Sequence, residues 1–67
     1  MTVAQFETLP EEEAAAVIGR RFSQLANCGY SLEQAIALAV HLDIDLHRAT
    51  GLVEGGCPPE LAVQILL

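Results

Sequence analysis

Cys28, His41, His47 and Cys57 are the side chains of this sequence best suited to metal or thiol chemistry. Two cysteines and two histidines are a familiar zinc set, but zinc modules bring their ligands in close pairs. Here the cysteines stand alone and only the histidines are near one another, so no metal site is expected. A cysteine nucleophile needs a base and an orienting group. Cys28 with a histidine and Asp43 or Asp45 supplies the residue types, without a spacing that sets them apart from chance. No phosphate loop, paired-carboxylate or cofactor motif is present, and a short helical chain offers little concavity for a substrate. The expectation is a protein that is not an enzyme, with no catalytic residue, no metal and no cofactor. A single bridge in a chain without an export signal is a weak framework, so both cysteines are expected as free thiols.

Length and charge narrow the class further. A chain of 67 residues is one small domain with a marginal core of its own. Yet 52% of its residues are hydrophobic and its mean hydropathy is +0.40, so part of that apolar surface is expected to meet another chain. Nine acidic residues stand against three arginines, with no lysine, for a net charge of -6. That sign opposes counterion release at a phosphate backbone, so nucleic acid is not an expected partner. The longest apolar run, Ala35 to Val40, is far below the ~20 residues of a membrane span, and no membrane partner is expected. The polar, acidic start is unlike a secretory signal, which makes a cytoplasmic protein the expectation. Absent lysine and abundant alanine are the residue usage of a GC-rich genome.

These residues are positioned by helices. Thr8 and Glu11 around Pro10 predict a capped start for a first helix over 9–27, with Glu11, Glu12 and Glu13 at the positive end of its dipole. Val17, Ile18, Phe22 and Leu25 form its apolar stripe. Gly29 ends it, and Ser31 with Gln34 makes a second capping box for a helix over 31–41. That helix is apolar nearly all round and is expected to be the central, most buried one. His41 to His47 alternates with period two, but a lone strand has no partner, and the better reading is a turn with Asp45, ahead of Asp43, as the cap of a helix over 45–54. Gly55-Gly56 stops that helix, and Pro58-Pro59 opens a short last one over 58–66. The expected core contains Phe22, Leu25, Ala35, Leu38, Ala39, Leu46, Ala49 and Leu52. No internal repeat is evident.

At Leu25-Ala26-Asn27-Cys28-Gly29-Tyr30 the chain resembles the ubiquitin-associated (UBA) domain, whose first helix ends in a leucine before a Met-Gly-Phe/Tyr loop. Ser31-Leu32-Glu33-Gln34-Ala35 looks like the start of that family's second helix, followed by Leu38-Ala39 at its core positions. Asp45-Leu46, Ala49 and Leu52-Val53 fall where the family has an Asn/Asp-Val pair, an inward alanine and a Leu-Leu end. The spacing holds without a gap from Leu25 to Val53. The resemblance implies an all-α fold, a small UBA-like three-helix bundle plus a short fourth helix. Residues 1–8 would be an N-terminal extension and 9–67 a single UBA-like domain. It further implies a protein-protein interaction module that meets its partner through Cys28, Gly29 and Tyr30 of the loop and Leu52, Val53 and Glu54 at the end of the third helix. The family's loop methionine is Cys28 here, so the implied partner is ubiquitin-like or another protein. UBA-like domains also serve other partners, including elongation factor Tu.

Two rival readings come from other classes. Leu38 to Leu52 also resembles a DNA-binding helix-turn-helix, which would offer His47, Arg48 and Thr50 to base edges. Asp43 stands where that turn usually has glycine, and few basic residues are available to hold phosphates. In the other reading the apolar fourth helix joins copies of the chain into a homo-oligomer or makes it a subunit of a larger complex.

Overall fold

The computed structural model describes residues 2–67 and is helical throughout: α1 (Val3–Glu7), α2 (Glu11–Cys28), α3 (Leu32–Val40), α4 (Leu46–Glu54) and α5 (Pro59–Leu66). No strand occurs among the described residues, and His41 to Asp45 is a turn. The all-α class and the last four helices agree with the local signals of the sequence. No helix is long and apolar enough to cross a membrane.

The start of the chain differs from expectation. α1 is a short helix with its own capping box, in which Thr2 Oγ1 accepts from the Gln5 amide at 3.1 Å and the Gln5 side chain accepts from the Thr2 amide at 2.9 Å. Thr8 does not cap α2. It closes α1 instead, its hydroxyl donating to the Gln5 carbonyl at 2.7 Å. The reason is Pro10, which disfavours helical backbone at Leu9 and is itself the extended residue from which α2 starts (φ -57°, ψ 152°).

α2 is the long element against which α3 and α4 pack, and α5 covers α3 and α4 from the other side. The core they enclose consists of Leu25, Tyr30, Ala35, Leu38, Ala39, Ile44, Ala49 and Ala62. Leu25 and Leu38 are its two largest fully buried side chains, and alanines make up half of the cluster because close crossings leave no room for more. Phe22, Leu46 and Leu52, expected inside, are half-buried around it. α3 departs from its expectation as the helix buried on every side. Ala35, Leu38 and Ala39 are sealed, but Leu32, Ile36 and Val40 succeed one another at single-turn steps on a face left 66, 54 and 52% exposed.

Arg21 fixes how α3 meets the next turn. It lies on the inward side of α2 between Ile18 and Leu25, and its guanidinium reaches the C-terminal end of α3. Nε donates to the Ala39 carbonyl at 3.0 Å, and Nη2 to His41 at 3.1 Å, Ile44 at 3.0 Å and Leu38 at 3.4 Å. Leu38 and Ala39 belong to the last turn of α3, where a helix end leaves carbonyls unpaired and a cation complements the dipole, while His41 and Ile44 belong to the turn that follows, so one guanidinium ties the helix end to that turn. Asp45 then starts α4 by accepting from the His47 amide at 2.9 Å.

Candidate partner-binding site

Gly29 is the hinge between α2 and α3. Its backbone sits at φ +128°, and the amides of the turn bend back onto α2, Gly29 to Ala26 at 3.4 Å and Tyr30 to Leu25 at 3.3 Å. This is a Schellman closure, which requires a residue tolerant of positive φ. Space is also tight there, since a Cβ at position 29 would lie 3.3 Å from Cγ1 of Val53. The loop and the end of α4 therefore approach each other closely, although distant in sequence. Beside them Cys28 and Glu54 line one shallow groove of about 400 Å³ with Gln24, Asn27, His47 and Thr50. Cys28, Gly29, Val53 and Glu54 are thus brought together, and Leu52 lies behind them, half-buried against the core.

Tyr30 is the correction to the expected set. It is 4% exposed, and its hydroxyl donates to the Ala49 carbonyl at 2.7 Å. An aromatic ring of this size with its polar tip satisfied inside is a strut from loop to α4, and not a contact offered to a partner. Burial pushes its phenol above the ordinary value of 10.0, with the neighbouring Cys28 and Cys57 adding to the shift.

Both cysteines are free thiols. Cys28 shares the groove with His47, yet its thiol donates to the Leu25 carbonyl of its own helix at 3.2 Å and makes no hydrogen bond to the imidazole. Among the described residues no three His, Cys, Asp or Glu side chains gather as metal ligands. The groove is an open surface depression with a mostly polar lining.

Sequence reasoning passed over Arg21, Ile44 and Ala62. Arg21 carried a readable signal, since it falls on the apolar stripe of α2 where a cation must find acceptors. Gln24, Asn27 and Thr50 enter the groove through the pairing of α2 with α4, which no local pattern displays. Comparison with protein-family models finds no match, and neither curated proteins nor solved structures yield one.

Proposed function

We propose that this chain is a non-enzymatic, UBA-like protein-protein interaction module whose partner surface combines the Cys28-Gly29 loop with Leu52, Val53 and Glu54 at the end of α4. The observation that supports this most is the approach of Gly29 to Val53, which joins the two segments singled out by the resemblance into one surface. Tyr30 belongs to the site as its support. Glu54 and the net charge of -6 steer basic partner surfaces and raise their association rate. The site is a place to bind a protein, in keeping with an open groove.

The test is a pull-down from native cytosol with the wild type and with Glu54→Arg. Glu54 is exposed in the last turn of α4, where a cation suits the helix dipole, so the variant keeps its melting temperature. Loss of a captured protein by Glu54→Arg at unchanged stability supports the surface, and equal capture refutes it. A second reading, self-association through α5, has its own observation: Leu61, Ile65 and Leu67 are 47, 46 and 58% exposed. Sedimentation of the pure chain decides it, because a dimer dispersed by Ile65→Glu requires that face.

A further inference from the structure

On the far side of α2 from α4's groove lies a second depression, of about 540 Å³, between α2 and α3. Ala15, Ile18 and Phe22 form one wall, and Ile36, Ala39 and Val40 the other, with no polar side chain in the lining. Gly19 stands in its middle, within the 18-residue α2. A glycine inside a helix weakens it. Nothing in this chain asks for one, since a Cβ at position 19 would meet no atom within 4 Å. The position is open space, so the groove floor is free for a backbone to approach closely.

The charge around the groove indicates what that is. Glu11 and Glu12 lie one turn before Ala15 on α2, and Glu33 one turn before Ile36 on α3, all three exposed. Since α3 folds back along α2, placing Ala39 beside Arg21, these acids sit towards opposite ends of the groove. No arginine balances them. Arg20 lines a different depression with Leu9 and Glu13, Arg21 is held by the carbonyls of α3, and Arg48 is on α4.

We infer that the α2-α3 groove is a docking site for an amphipathic helix of a partner protein, apolar on the inserted face and carrying Lys or Arg at both ends. Gly19 admits the close approach of that helix's backbone, and Glu11, Glu12 and Glu33 meet its basic flanks. The site is separate from the Gly29-Val53 surface and stands whether or not that surface binds.

The experiment is a displayed library of helices with a fixed apolar face and randomised flanking positions, selected on the full chain and on Gly19→Gln. Glutamine is a better helix former than glycine, so the variant folds at least as well while filling the groove. The expected result is enrichment of Lys and Arg at the flanks, with selected helices losing roughly tenfold or more in affinity for Gly19→Gln and for the Glu11→Gln, Glu12→Gln, Glu33→Gln triple variant. Absence of enrichment, clones without basic flanks, or equal binding to Gly19→Gln would overturn the inference. So would sedimentation of the pure chain as a dimer that Gly19→Gln converts to monomer, because the occupant would then be a second copy.

Discussion

The α2-Gly29-α3 and α4-Gly56-α5 segments share one turn geometry, once held by side-chain hydrogen bonds after the glycine and once without them. Both turn on a glycine at positive φ, +128° for Gly29 and +101° for Gly56. Both close with the same pair of hydrogen bonds, Gly56 to Val53 at 3.0 Å and Cys57 to Leu52 at 2.9 Å repeating the pattern of the first turn. At one constant offset Arg21 corresponds to Arg48, Leu25 to Leu52, Gly29 to Gly56, Glu33 to Glu60, and Ala35 to Ala62, the last two both fully buried. The two copies diverge immediately after the glycine. The first has Tyr30, bonded to Ala49, and a Ser31-Gln34 capping box; the second has Cys57 and prolines, with no side-chain cap on α5. A shared turn geometry therefore leaves the strength of a hairpin open, and the side chains after the turn decide it.

The largest contrast is expected at the paired leucines. Leu25 is 1% exposed while Leu52 is half-buried. Leu25→Ala should cost ~2–5 kcal/mol by denaturant unfolding, a large part of the stability of a small domain, and Leu52→Ala distinctly less. Equal losses would mean the copies are equally buried. The arginines come next. Arg21→Ala strands carbonyls at the end of α3 and should cost ~1.5–3 kcal/mol, whereas Arg48→Ala on an exposed face should stay within about 0.5 kcal/mol.

Alanine at either glycine meets a backbone strain of about 1–2 kcal/mol. Gly29→Ala adds a tight contact with Val53, which must give way by a few tenths of an ångström, while a Cβ at Gly56 meets nothing, so Gly29→Ala should melt lower than Gly56→Ala. Tyr30→Phe removes one buried hydrogen bond and should cost ~0.5–1.5 kcal/mol. It also changes the response to alkali. Because the folded phenol titrates above its unfolded value of about 10, the folded state holds the proton more tightly. That stabilisation is complete below pH ~10 and is lost as pH rises past it towards the folded value. Thermal melts from pH 8 to 11 should show a decline in the wild type that Tyr30→Phe lacks.

The helices were legible because each is bracketed by local chemistry: Ser31 and Gln34, Asp45, Gly29, Gly55-Gly56 and the prolines at 58 and 59. α1 escaped because the Thr2-Gln5 box holds only a five-residue helix, too short for an apolar stripe to show. The doubling was hidden because capping chemistry differs between copies, so that few positions match although the turns share their hydrogen bonding. Ile44 and Ala62 are buried by the crossing of distant helices, which no periodicity encodes. The site was half legible. The loop and the α4 end could be named through a resemblance, but a tyrosine that anchors an interface and one that props a loop have the same sequence signature, and only the hydrogen bond to Ala49 separates them.

The measurement closest to the central claim is an amide NMR titration of the ¹⁵N-labelled chain with the protein recovered by pull-down. A partner seated on the proposed surface should shift the resonances of Cys28, Gly29, Val53 and Glu54, and Glu54→Arg should weaken the complex by roughly tenfold or more at unchanged melting temperature. A saturable complex that leaves those four amides in place would contradict the claim.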